Sequence, residues 1–162
     1  MRAVRLPKGI SGHLYLHSMP GRYEPFEEAR AAIVSKTIGH VVCLAPPDEI
    51  RKKSPDYHAA LTGGVSWNQV AHPIGDYGVP EDRGAFWTLA KEVAAALRDG
   101  KSVLIHCAAG MGRTGTLSIA VLLALDQSLA EAMKIMNAAG SAPETEDQRE
   151  LLKWCVGARQ NA

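Results

Sequence analysis

Residues 101–125 are the part of this chain that most constrains its fold. An apolar run, Val103–Ile105, is followed by a loop that contains Gly110 and Gly112, and a second apolar pattern covers residues 117–125. The first run is typical of a buried strand and the second of a buried helix, with a tight connection between them. A strand that passes directly into a helix is the building unit of α/β folds.

The rest of the chain repeats this alternation of strand and helix. Its 162 residues are enough for one domain, whose core we place at about 12–158. We expect an α/β fold with a central, mostly parallel sheet of four to five strands and helices on both faces. Strands are predicted at 13–18, 40–45, 65–72 and 101–106, and helices at 25–37, 80–98, 117–125, 128–139 and 145–158, with short helices capped by Asp48 or Ser54 between 48 and 64.

Composition limits the partners and the cellular compartment that we expect for this chain. The net charge is +1, and positive and negative residues are interspersed along the sequence, which predicts no nucleic-acid partner. Three cysteines cannot all pair, which favours a reducing compartment. The first eight residues lack an apolar core of signal-peptide length, and the run 117–125 is too short to span a bilayer. We therefore predict a cytoplasmic protein without a membrane partner.

The loop between strand and helix has the composition of an anion site. Unpaired N–H groups at a helix N-terminus attract negative charge, and Gly110 and Gly112 let the backbone pass close to a ligand. Arg113 adds a planar fork that can bind two oxygens of one phosphate. The same groups would stabilise a thiolate on Cys107, which could then act as a nucleophile. The alternative is a buried cysteine before an ordinary glycine turn, with Arg113 exposed to solvent.

The loop also resembles a known family. Residues 106–114, His-Cys-Ala-Ala-Gly-Met-Gly-Arg-Thr, match the pattern His-Cys-x-x-Gly-x-Gly-Arg-Thr of cysteine-dependent protein tyrosine phosphatases, and most closely the small dual-specificity branch. Residues 72–80 resemble that family's general-acid loop. Residues 14–21 resemble the opening strand of cyclin-dependent-kinase-associated phosphatases. The resemblance implies a single phosphatase domain over residues 1–162 that needs no cofactor and no metal.

The resemblance also implies roles for the loop residues. Cys107 would attack phosphorus, and Arg113 with the loop backbone would bind the substrate phosphate, or a phosphate, sulfate or vanadate anion. Thr114 would donate to the sulfur, although a hydroxyl at a helix start also commonly bonds its own backbone. The predicted substrate-binding residues are Ala108, Ala109, Gly110, Met111, Gly112 and Arg113.

Asp76 is the predicted general acid. It lies 31 residues before Cys107, between Gly75 and Gly78, although an Asp-x-Gly sequence is also ordinary turn chemistry. Glu81 and Asp82 are alternatives that equally fit the first turn of the next helix. Tyr77 would either form a wall of the pocket or pack as a loop aromatic.

Two further residues are assigned supporting roles. By resemblance, His106 holds the loop through hydrogen bonds and is not itself a base. Gln148 would orient the hydrolytic water, or form a capping box with Thr145, or do both. The basic run 51–53 is either a solvent-exposed charge cluster, which we favour, or a site that attracts acidic or phosphorylated partners. Cys43 is read as a small buried hydrophobe, with a disulfide to Cys107, as in some relatives, as the alternative.

The implied activity is hydrolysis of phosphotyrosine, with phosphoserine and phosphothreonine as further options, through a cysteinyl-phosphate intermediate. The partner would be a phosphorylated protein or peptide. One alternative is the same chemistry on an inositol phosphate, a phosphoinositide or an RNA 5′ end. The loop carries Ala108 and Met111 where lipid phosphatases of this family often have lysine, which weakens the phosphoinositide option. Another alternative is a phosphate-binding module without turnover.

Overall fold

The scaffold is a sheet whose central strand leads into the predicted loop. The computed structural model describes residues 1–160. Its strands are β1 (Arg2–Val4), β2 (His13–His17), β3 (Ile38–Cys43), β4 (Asn68–Ala71) and β5 (Ser102–His106). They pair in the order β1-β2-β5-β3-β4, with β1 antiparallel to β2 and the other neighbours parallel. The carboxyl ends of four strands therefore meet at one edge, where the loop lies.

Helices cover both faces of this sheet. They are α1 (Phe26–Ser35), α2 (Pro47–Lys53), α3 (Pro55–Gly63), α4 (Arg83–Arg98), α5 (Gly112–Ala124), α6 (Leu129–Ala138) and α7 (Glu146–Gln160). Successive strand side chains point to opposite faces, so Val103 and Ile105 pack with α4–α7 while Leu104 packs with α1–α3. The predicted α/β fold, with helices on both faces of a mostly parallel sheet, is confirmed.

The structure differs from the predicted elements mainly near their ends. Helix α4 begins at Arg83, because the Asp82 carboxylate accepts a hydrogen bond from the N–H of Ala85 at 2.9 Å and caps the helix there. Neither Asp48 nor Ser54 caps a helix through its side chain. The Ser54 hydroxyl instead donates to the carbonyl of Pro20 at 2.7 Å, because α3 packs against the turn after β2.

Strand β1 lies outside the core expected from the sequence. It has only three residues, too few to show the alternation that marks a strand, and its pairing with β2 decides its conformation. In residues 1–160, no helix combines the length and the apolarity needed to cross a membrane.

Candidate active site

The loop between β5 and α5 is a tight bowl in which glycine is required. Gly110 has φ +73°, and a Cβ there would lie 2.4 Å from the carbonyl oxygen of His17. The backbone can therefore pass over the end of β2 only without a side chain. The N–H of Gly110 turns inward and donates to Sγ of Cys107 at 3.3 Å. Cys107 itself is 2% exposed and sits at the floor of the bowl.

His106 anchors the bowl from below through a buried hydrogen-bond chain. Its Nδ1 lies 3.0 Å from the carbonyl oxygen of Cys107, so this nitrogen carries the proton and donates. Its Nε2 then accepts from the hydroxyl of Tyr57 at 2.9 Å. The amide of Gln69 donates to Tyr57 at 3.1 Å and accepts from the indole of Trp67 at 2.7 Å. Burial lowers the pKa of His106 to about 4, so the ring is neutral.

Arg113 lies in the first turn of α5 and is 3% exposed. Its Nη1 donates to Oε2 of Glu49 at 2.7 Å and to the carbonyl of Ile74 at 2.9 Å. Its Nη2 donates to Oε1 of Glu49 at 3.2 Å and to Oδ1 of Asp76 at 2.9 Å. Among residues 1–160, the N–H on Nε has no hydrogen-bonding acceptor, so this edge of the guanidinium stays available for a ligand.

Glu49 is the partner that fixes the guanidinium. Burial would raise the pKa of Glu49, but hydrogen bonds from Arg113 and Lys53 outweigh it and lower the pKa to about 2. Burial would likewise lower the pKa of Arg113, and its hydrogen bond to Glu49 raises that pKa instead. The pair therefore stays charged, with a two-point contact that sets the orientation of the guanidinium.

Cys107 and Arg113 line one small cavity of about 110 Å³, which we call the Cys107 pocket. Its walls come from five parts of the chain that the fold brings to the carboxyl edge of the sheet. They are Arg22, Lys53, Asp76, Tyr77, Cys107, Ala108, Ala109, Gly112, Arg113 and Glu144.

The residues predicted around the acid loop come together with the cysteine. Asp76 lines the pocket, with its side chain 56% exposed and its carboxylate on Arg113. Tyr77 lines the same pocket and is 62% exposed, so it forms an open wall and is not a packed aromatic. Asp82 caps α4, and Glu81 lines a separate cavity with it, so neither alternative acid lies in the Cys107 pocket.

Three other predicted residues have surroundings that the sequence did not specify. The Thr114 hydroxyl is buried and has no hydrogen-bond partner in residues 1–160, Sγ of Cys107 included. Met111 is 38% exposed and lies outside the lining of the pocket. The Gln148 amide donates to the carbonyl of Gly78 at 3.1 Å and accepts from the N–H of Glu144 at 2.8 Å. Half of the predicted capping box also forms, since the backbone N–H of Gln148 donates to Oγ1 of Thr145 at 3.3 Å.

A carboxylate accepts a hydrogen bond from one of the N–H groups of the bowl. Oε2 of Glu144 accepts from the N–H of Gly112 at 2.9 Å, at the N-terminus of α5. This is the position where a helix attracts an anion, and here the chain's own carboxylate occupies it.

Residues that we did not predict from the sequence form hydrogen bonds to the outer side of the bowl. Arg2 of β1 donates through Nη1 to the carbonyl of Gly140 at 2.7 Å and through Nη2 to the carbonyl of Gly110. The Ser141 hydroxyl donates to the carbonyl of Met111 at 2.7 Å. No local sequence signal marks Arg2, Ser141 or Glu49, because each acts across more than 25 positions of the chain.

The assembled chemistry is that of a sulfur nucleophile beside an anchored guanidinium and an exposed carboxyl group. The loop N–H groups and Arg113 can hold a phosphate over Cys107, while Asp76 stands on the open side of the pocket, where a leaving group would depart. Among residues 1–160, no group of three or more histidine, cysteine or acidic side chains is placed to hold a metal ion.

Comparisons with known proteins agree with this geometry. The sequence model of a family described as "polymorphic toxin system, DSP-PTPase phosphatase" matches residues 17–127. Cyclin-dependent kinase inhibitor 3 of Rattus norvegicus is 40% identical over 58 residues, which are 36% of this chain and 27% of that protein. The match therefore spans about a quarter of the length of this curated relative.

Solved structures share the whole fold. Kinase associated phosphatase, crystallised with its catalytic-site cysteine replaced by serine, superposes with a TM-score of 0.81 at 20% identity, covering 99% of this chain and 93% of that chain. PTPMT1 in complex with PI(5)P has a TM-score of 0.69 at 19% identity, covering 91% and 94% of the two chains. At these identities the superpositions establish the fold.

Proposed function

The chain belongs to the DSP-PTPase phosphatase family of polymorphic toxin systems, and on this premise we propose that it hydrolyses phosphotyrosine in proteins or peptides. The resemblance to a small dual-specificity phosphatase is thereby confirmed, and the chain is a phosphatase of that type. Phosphoserine and phosphothreonine are further substrates in this proposal. The observation that carries it is the meeting of Cys107, Arg113 and Asp76 in one pocket of about 110 Å³.

In the proposed first step, Sγ of Cys107 attacks phosphorus in line with the leaving oxygen. The S–P bond forms as the P–O bond breaks, and protonated Asp76 gives its proton to the departing oxygen. The loop N–H groups and Arg113 bind the three equatorial oxygens, where charge builds up in the transition state. In the second step water attacks phosphorus, Asp76 takes the proton of the water, and the sulfur leaves.

The contacts of Arg113 suggest how Asp76 becomes available. A phosphate bound through Nε and Nη2 of Arg113 would replace Asp76 on Nη2, since the other Nη hydrogens remain on Glu49 and Ile74. Substrate binding would then free the acid at the moment when it is needed. Glu144 would leave the N–H of Gly112 in the same step.

Supporting roles follow from buried groups around the pocket. A buried hydroxyl without a partner costs about 1–3 kcal/mol, so we assign the Thr114 hydroxyl as a donor to the sulfur when it leaves as thiolate. His106 orients the loop backbone. Gln148 positions the acid loop through Gly78, and its amide oxygen holds the backbone of Glu144.

The second candidate is the same chemistry on a phosphoinositide. It is favoured by the structural similarity to PTPMT1, which was crystallised with PI(5)P. Lys53 lines the pocket, which agrees with a highly charged substrate and with the alternative that the run 51–53 attracts phosphorylated partners.

The test compares substrates in one assay. We expect the protein to hydrolyse an aryl phosphate and phosphotyrosine peptides, with vanadate inhibiting both. Cys107→Ser should lose the activity and still bind phosphate. Cys155→Ser is the matched control, because Cys155 is buried in α7 away from the pocket, and it should keep the activity. Faster hydrolysis of PI(5)P than of every phosphopeptide, or folded protein without turnover, would contradict the proposal.

A further inference from the structure

The rim of the Cys107 pocket carries charges of both signs. Arg22 and Lys53 line it together with the carboxylates of Asp76 and Glu144. Lys53 is partly neutralised, because its ammonium contacts Glu49. Arg22 has no ion-pair partner in residues 1–160, and its guanidinium lies over the ring of Tyr23, 4.6 Å from the ring centre.

Arg22 is held in place by a built turn. The N–H of Arg22 donates to the carbonyl of Met19 at 3.0 Å, and the N–H of Met19 donates to the carbonyl of Ala108 at 3.0 Å. The turn is therefore bonded directly to the phosphate loop. Gly21 has φ +81°, and its N–H donates to the Glu24 carboxylate at 3.1 Å. These bonds set the position of the Arg22 backbone relative to the phosphate loop.

The same turn explains why Arg22 and Lys53 share a rim. Ser54, which follows Lys53, is 1% exposed, and its hydroxyl bonds the carbonyl of Pro20 at 2.7 Å. A Cβ at Gly21 would lie 2.6 Å from this hydroxyl oxygen. The junction of α2 and α3 is thus docked on the turn after β2, and this contact brings two cations from distant parts of the chain together.

We propose that Arg22, assisted by Lys53, binds a second anionic group of the substrate, a carboxylate or a phosphate that flanks the scissile phosphate. Arg113 and the loop N–H groups are committed to the scissile phosphate, and Glu49 already binds Lys53, so Arg22 carries the unpaired charge on this rim. The acidic part of the rim would repel the same group, which sets its direction. This inference rests on the proposed function and adds that acidic or doubly phosphorylated peptides are the preferred substrates.

The experiment measures kcat/KM for two phosphotyrosine peptides that differ only in glutamate or glutamine beside the phosphotyrosine. We expect the wild-type protein to prefer the acidic peptide by about fivefold, as for a partly exposed charge pair. Arg22→Gln should bring the ratio to about one. Arg22→Lys should keep part of the preference. Arg30→Gln is the matched control, since Arg30 is exposed on α1 and paired with Glu27, and it should keep the full ratio.

A second substrate pair separates this inference from the proposed function. Carboxyphenyl phosphate and carbamoylphenyl phosphate have nearly the same size, and only the first carries a second charge. If aryl phosphates are hydrolysed and phosphopeptides are not, the proposed function fails, and the effect of Arg22→Gln on this pair then decides the subsite. A wild-type ratio of one, or a ratio that survives Arg22→Gln, overturns the subsite. A preference for PI(5)P that depends on Arg22 would overturn the peptide as its ligand.

Discussion

Replacing Glu49 by glutamine should lower the free energy of unfolding. The lowered pKa of Glu49 sets the approximate size of this loss. The Glu49 side chain is 13% exposed and bridges Arg113 and Lys53. Its pKa is about 2 in the folded protein, against an ordinary value of 4.5. This difference corresponds to about 3 kcal/mol in favour of the carboxylate in the folded state. We therefore expect Glu49→Gln to lower the free energy of unfolding by about 3 kcal/mol at pH 7.

The pH dependence gives this prediction a distinctive sign. A lowered pKa stabilises the folded state at pH values above 4.5, and the benefit is lost as the pH falls through about 2. The difference between wild type and Glu49→Gln should thus shrink at pH 3 to about half of its value at pH 7. Urea unfolding at both pH values measures it, provided that the m value is unchanged.

Asp48→Asn is the control for this experiment. Asp48 lies on the same helix, but its side chain is 89% exposed and its pair with Arg51 is a surface contact, so the loss should stay below about 1 kcal/mol. Glu49→Gln should also lower kcat/KM for an aryl phosphate on the order of tenfold, because the guanidinium loses its fixed orientation. An unfolding midpoint equal to that of wild type, or a difference that does not change with pH, would refute the reasoning.

Two further predictions test the acid and the outer fastening of the loop. Asp76→Asn should lower the rate on substrates with poor leaving groups by about 10²-fold or more, with phosphate still inhibiting; an equal loss on good and poor leaving groups would exclude Asp76 as the acid. Arg2→Ala should weaken phosphate inhibition by about fivefold, because the carbonyl of Gly110 loses a charged donor. Arg5→Ala is the control and should leave the inhibition constant for phosphate unchanged. Equal inhibition constants for the two variants would show that Arg2 does not support the loop.

Local sequence determined the parts of this protein that depend on neighbouring residues. Apolar periodicity predicts the strand before Cys107 and the helix after it. The loop between them depends on Gly110, whose positive φ is a conformation that glycine adopts freely. The spacing of Cys107 and Arg113 is likewise a property of one loop. The family resemblance extended this prediction to Asp76, which the fold brings to Arg113 across 37 positions.

Tertiary structure decided which distant side chains complete the pocket. Glu49 reaches Arg113 across 64 positions and Arg2 reaches Gly110 across 108, so neither contact leaves a periodic signal in the sequence. Lys53 belongs to a run that looks solvent-exposed, yet the docking of Ser54 on the turn after β2 places it beside Arg22 at the rim. Local patterns report the conformation of a segment, whereas the packing of helices on the sheet determines which segments meet, and the charge distribution around Cys107 depends on that packing.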